Sequence, residues 1–268
     1  MVKYKKNDTD FQNLTRGEDT MTWGFFSVAH ILSLLFGVAM IAALYFLLRG
    51  KSDRVKVAVL TVLSFSGIAA IVFNLLAWNS PLEYLPLHLC SLNALVLPVA
   101  VLTRNKTLNN LLLLWSFGAL FALLINLAVA EAEICSWVFA FYYFPHVLEF
   151  GIPILMFTLK LVKKDVKCIT STLAITAASY TVIHFINLWI NAYTVKHNVV
   201  DWQSNIVRVN YMYSLKPENP LLEAFYRLLP YPYWYMYFAL ILAVGYLAVV
   251  YFSDIVRLVR GIRTKADQ

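Results

Sequence analysis

Apolar residues in this chain neither alternate nor recur on a single helical stripe; they gather into long, nearly unbroken runs. The runs cover residues 23–48, 57–78, 85–102, 108–129, 137–159, 168–192 and 231–252. About 20 residues at ~1.5 Å each cross the ~30 Å of bilayer hydrocarbon, so each run is read as a membrane span. Hydrocarbon offers the backbone no hydrogen-bond partner, so the spans must be helical whatever the β-propensity of their Val, Ile and Tyr. The pattern predicts an all-α, polytopic membrane bundle of seven helices. A polar segment (1–22) leads it, a loop (193–230) interrupts it, and a basic tail (253–268) follows. The lead is longer, and the first run far longer, than a cleavable signal needs.

Composition agrees. The chain is 60% hydrophobic and only 14% charged, too apolar for a soluble domain to cover its surface. Lys and Arg resist translocation, so their placement reports sidedness. Arg49, Lys51, Arg54, Lys56, Arg104, Lys106, Lys160, Lys163, Lys164, Lys167, Arg257, Arg260, Arg263 and Lys265 fall on one side; the short opposite loops around Glu83 and over 130–136 have none. The expected arrangement puts the N-terminus outside and the C-terminus in the cytoplasm of a cell membrane. The net charge of +7 is thus topological, and anionic lipid explains it better than nucleic acid.

Ionisable and polar residues are costly at membrane depth and mark candidate sites. His30, His88, Cys90, His146, Glu149 and His184 stand out, and all but the slightly deeper His146 and Glu149 map to the outer half. Interhelical hydrogen bonding is the plain account of His30 and His184. Glu149 must be protonated or find a donor, and His146, three residues earlier, shares its helix face; the pair suits a general base with an orienting carboxylate, or a proton relay. A nucleophilic Cys90 would need a base from another span, because His88 lies about 200° away around the helix. His146 is the first choice and His184 the second, with Asn93 at i+3 from Cys90 as an oxyanion donor. Cys168 is read as inert, and a disulfide between Cys90 and Cys135 is left open by the spacing. His88, Cys90, His146 and His184 offer metal-ligand chemistry but no short-spaced motif. A retinal cofactor is excluded because the last run has no Lys, and Ser64-Phe65-Ser66-Gly67 lacks the leading Gly of an intramembrane serine protease. No cofactor is expected.

Leu85-Pro86-Leu87-His88-Leu89-Cys90-Ser91, with Leu102-Thr103-Arg104-Asn105-Lys106 closing the span, resembles the third span of the YwaF-like integral membrane proteins of bacteria. Asn210-Tyr211-Met212-Tyr213, then Lys216-Pro217 and Asn219-Pro220, resembles their NYMY segment. Leu113-Leu114-Trp115-Ser116-Phe117-Gly118, Asn187 and an aromatic and Pro-rich approach to the last span agree in order. The chain departs from the pattern at Leu229-Pro230-Tyr231-Pro232-Tyr233-Trp234-Tyr235, in lacking a Gln over 121–125, and in carrying His184. That family is similar to animal transmembrane protein 164, which moves fatty acyl chains between phospholipids. The resemblance implies a cysteine acyl carrier at Cys90 with a histidine partner, in a bacterial plasma membrane. His146 with Glu149 would move the proton, and an ester of the outer leaflet would react. Substrate lipid would meet His88, Asn93, His184, Asn187, Asn210, Tyr211 and Lys216. Membrane lipids are the expected partners; a transporter with a His/Glu proton relay is the alternative, and a metal-binding membrane protein the third.

Overall fold

The computed structural model describes residues 22–78, 80–125, 130–201, 203–257 and 259. Residues 1–21 of the polar lead and the tail from residue 260 lie outside them. The chain is all-helical apart from two isolated β-bridges among the described residues. Helix α1 spans Val28–Leu48, α2 Asp53–Ser64, α3 Ser66–Ala77, α4 Leu89–Thr103, α5 Lys106–Ile125, α6 Trp137–Thr158 and α7 Cys168–His197. A 3-10 turn at Tyr211–Tyr213, helix α8 at Pro220–Leu228, a second 3-10 turn at Trp234–Met236 and helix α9 at Tyr237–Val250 complete it. Side chains that bond in place of the missing turn open several of these helices. Ser27 accepts from the His30 N–H, Ser136 from Phe139 and Asn219 from Leu222. Arg104 and Asn198, both left-handed, stop α4 and α7.

Seven spans were expected; among the described residues five helices are long and apolar enough to cross a membrane. These are α1, α2 with α3 as one run (Asp53–Ala77), α5, α6 and α7. The third and seventh expected spans are shorter apolar helices, Leu89–Thr103 and Trp234–Val250. Pro86 withholds an N–H and biases Leu85 away from helical angles, so the run from residue 85 turns helical only after His88. Pro232 and Tyr233, whose φ is 66°, likewise delay the last helix. The sixth span runs on from residue 192 to His197. With two of seven crossings too short, the strict alternation of sides behind the expected sidedness no longer follows. The chain remains a multi-pass membrane protein.

Helices α4, α5 and α6 form the centre, where Leu97, Leu112, Ile152, Leu155 and Met156 are buried together. Membrane helices attract one another mainly through close packing, which small residues permit. A Cβ on Gly67 would lie 2.5 Å from Ala94 Cβ, 3.3 Å from Ala94 Cα and 2.9 Å from Glu149 Oε1, so α3 meets α4 and α6 there without a spacer. The basic loops gather at one end of the bundle: Arg104 pairs with Asp53 at 3.2 Å, Lys106 with Asp165, and Lys164 with Asp254 at 3.3 Å. Asn110 ties that end together, accepting from the Asp165 N–H at 3.2 Å and from the Tyr251 hydroxyl. At the other end the Trp23 backbone N–H donates to Ala132 O, and Tyr211 bonds Leu82 O through its hydroxyl.

The Gly67 contact sets a stability prediction. Gly67→Ala should cost about 1–3 kcal/mol, because the added methyl meets backbone that cannot rotate away. Gly245→Ala, whose Cβ would meet nothing within 4 Å, should be neutral or slightly stabilising. Thermal unfolding midpoints of the two purified variants in one detergent check this; equal midpoints would contradict the packing described.

Candidate functional site

A cavity of about 650 Å³ opens at the end of the bundle away from the basic loops. Its body is apolar. From α5 it takes Leu114, Trp115, Phe117, Gly118, Phe121, Ala122 and Ile125, a helical stripe that includes the core of the Leu113 to Gly118 segment. Thr176, Ala177 and Tyr180 of α7 face it, and the first half of α9 closes the side. Asn74, Glu83, Glu218 and Asn219 line its walls as well, giving the cavity a polar part.

His88, Cys90 and Ser91 line the cavity at the start of α4. His88 is the N-cap but gives no side-chain cap bond, so the first N–H groups of the helix are left without an intrahelical partner. His146 reaches the same cavity from α6. Its Nδ1 lies 2.7 Å from Tyr142 O, an atom that can only accept, so Nδ1 carries the proton and Nε2 is left as the basic nitrogen. Tyr142, also in the lining, sends its hydroxyl to Ala122 O at 2.8 Å.

Glu149 does not orient His146: no hydrogen bond or ion pair joins them among the described residues, and the Tyr142 carbonyl fixes the tautomer instead. The carboxyl lies behind the cavity wall beside Asn93 and within electrostatic reach of the Cys90 thiol. Glu149 is 3% exposed and Asn93 0%; the Asn93 amide is the polar group beside the carboxyl, and Glu149 Oε2 has no hydrogen-bond partner among the described residues. Cys90, Cys135 and Cys168 are all free thiols.

The two most distinctive segments of the sequence meet here. The rings of Tyr211 and Tyr213 pack on His88 with centroids 5.3 and 5.5 Å away, and the Met212 N–H approaches His88 Nδ1 at 3.4 Å. Met212 and Tyr213 both have positive φ, at 52° and 54°, a strained conformation for non-glycine residues. Side chains of α7 hold the strap: Asn187 donates to Tyr211 O at 2.8 Å and accepts from its N–H at 3.0 Å, Asn191 does the same for Val209, and Thr194 donates to Val207 O. Asn210 folds the next turn, donating to Lys216 O and Glu218 and accepting from the Leu215 N–H. His184 bonds Ser214 Oγ at 3.0 Å outside the cavity lining, and Lys216 is exposed beside Glu218. Burial pushes the Tyr84 and Tyr211 phenols up to about 12, with Glu83 adding to the effect, so both stay neutral donors.

Of the expected site residues, then, His88, Cys90 and His146 share the cavity, Asn93 and Glu149 back it, and His184, Asn187, Asn210 and Tyr211 shape the strap. Tyr213, Tyr142, Glu83 and Glu218 were not foreseen. Tyr213 belongs to the same NYMY segment and was within reach of the motif; the others carried no local signal. His30 is a satisfied structural group, with Nε2 2.8 Å from Leu123 O and Nδ1 accepting from the Phe26 N–H. Among the described residues no group of three or more His, Cys, Asp or Glu could hold a metal ion.

A model of the TMEM164 family matches residues 25–251, from just before α1 to the residue after α9. The match is to the family as a whole and singles out no bacterial subgroup. No curated protein and no solved structure matches the chain. Every wall of the cavity lies inside the matched region, and the chain belongs to the TMEM164 family.

Proposed function

We propose that this protein is a membrane acyltransferase that carries a fatty acyl group on Cys90 between lipids. The observation that supports the reading best is the meeting of Cys90 and a base of defined tautomer, His146, in one cavity with an apolar body and polar groups in its wall. In the reaction, His146 Nε2 takes the Cys90 proton as sulfur attacks the carbonyl carbon of a phospholipid ester, in the leaflet at that end of the bundle. The N–H groups of the first turn of α4 suit the oxyanion, since a helix N-terminus favours negative charge. The ester C–O bond breaks, the departing lysolipid oxygen takes the proton from His146, and a thioester remains. A hydroxyl of a second lipid then gives His146 its proton, attacks the thioester and releases the Cys90 sulfur, which is reprotonated. His88, capped by the strap tyrosines, positions the start of α4. Glu149 and Asn93 form the polar backing of the thiol.

Cys90→Ala should abolish formation of a hydroxylamine-sensitive acyl adduct on the purified protein incubated with phospholipid, while Cys168→Ala, at the opposite end of the bundle, should retain it. Intact-protein mass spectrometry reads both, and equal adducts on the Cys90→Ala protein would remove the nucleophile.

His146→Ala should lower the acylation rate by roughly 10²- to 10⁴-fold, the span of general-base contributions. Glu149→Gln should cost less than His146→Ala, and the two losses should combine nearly additively, because the carboxyl does not touch the imidazole. Single-turnover rates of the two single variants and the double variant decide the matter; a double variant no slower than His146→Ala would mean the two act as one unit.

A further inference from the structure

Helix α9 is held at its two ends and open between them. Of its residues only Leu247 is buried. At the lower end the Tyr246 ring stacks on Phe117 at 4.6 Å and its hydroxyl donates to Leu113 O at 3.1 Å. At the upper end the Tyr235 hydroxyl bonds Tyr213 O, and the Tyr180 hydroxyl donates to Tyr233 O at 2.8 Å. Between these pins Ala239, Leu240, Leu242 and Ala243 line the cavity and none of them is buried. Ile241 and Val244, outside the lining, are exposed as well, so the wall that α9 gives the cavity is a single, loosely packed helix.

The level of Cys90 bears on what this loose wall is for. Leu89, its neighbour, packs against Gly118: a Cβ there would lie 3.0 Å from Leu89 Cδ2. Trp115, held by an indole N–H bond to Thr176 Oγ1 at 3.0 Å, lines the cavity less than a turn further along α5, about 4.5 Å at 1.5 Å per residue. A sixteen-carbon chain extended at about 1.25 Å per carbon, from a ~1.52 Å bond at ~111°, is roughly 19 Å long. The lining runs along α5 from Leu114 to Ile125, about 16.5 Å at 1.5 Å per residue, which is shorter than the extended chain. The slot between α5 and the middle of α9 is apolar on both sides.

We infer that the slot between α5 and α9 is a lateral channel for the acyl chain of a phospholipid, which lies in it with its far end still in the bilayer while the ester stands at Cys90. This deepens the acyl-transfer reading and rests on it for the position of the ester. The channel also implies little discrimination by chain length, since nothing closes its outer end.

The test uses the full chain in vesicles of phosphatidylcholine containing a photoactivatable analogue with a diazirine in mid-chain. Adducts should appear on α5 at Phe117 to Phe121 and on the cavity side of α9. Ala243→Trp, which fills the slot, should reduce them at least fivefold, while Val244→Trp, on the exposed face, should leave them within twofold. Adducts unchanged by Ala243→Trp, or confined to the exposed face of α9, would overturn the channel. Ala243→Trp should keep the thermal unfolding midpoint of the unsubstituted protein, which reports an intact fold, and acylation of Cys90 by p-nitrophenyl butyrate, a short soluble ester that does not need the slot, should occur in the unsubstituted protein. Its absence in the unsubstituted protein would sink the acyl-transfer reading while the photoadducts still decide the channel.

Discussion

A backbone without regular structure that is buried in protein survives only where its N–H and C=O groups find partners. The strap over residues 207–214 meets that condition through α7. Asn187, Asn191 and Thr194, spaced four and three apart, lie on one helix face and offer amide and hydroxyl groups to Tyr211, Val209 and Val207 in turn. The helix therefore stands in for the neighbouring strand of a sheet, with side chains replacing the partner backbone. Everything above the cavity follows from this ladder: Tyr211 and Tyr213 reach His88 because the strap is held still, and the positive φ at Met212 and Tyr213 is sustained by the same bonds.

The turn at His88 answers the strap from below. Pro86 prevents an early helix start, so α4 begins at Leu89 with Cys90 in its first turn rather than buried mid-helix. A thiol in the first turn of a helix sits beside N–H groups that have no intrahelical partner, which is where negative charge is best tolerated. The same residues that shorten α4 below the length of a span thus put its cysteine in the cavity wall.

Hydrophobic run length made the membrane class and the all-helical fold legible, because hydrocarbon leaves the backbone no alternative. It overcounted the crossings where Pro86 and Pro232 interrupt apolar sequence, since hydropathy is blind to a missing N–H. His88, Cys90 and His146 could be singled out as expensive residues, and they do share a cavity. The bond between His146 and Glu149 could not be judged from i+3 spacing: a shared face brings two side chains near, but Tyr142 O, one turn back, was the better placed acceptor. The ladder on α7 was visible only as an isolated Asn187, because its partners are main-chain atoms about twenty residues away that no pattern of side chains announces.

The lengths of the helices also act on the surrounding lipid. At 1.5 Å per residue α4 covers about 22 Å and the Trp234–Val250 segment about 25 Å, whereas the thirty residues of α7 could extend some 45 Å. The protein therefore presents a collar of uneven height to a hydrocarbon layer of roughly 30 Å. Hydrophobic mismatch is relieved by thinning the bilayer at a short wall and by tilting a long helix, each at a fraction of a kcal/mol per Å. The short wall includes α9, so the annular lipids there are the ones most compressed and most readily drawn out of register with their neighbours.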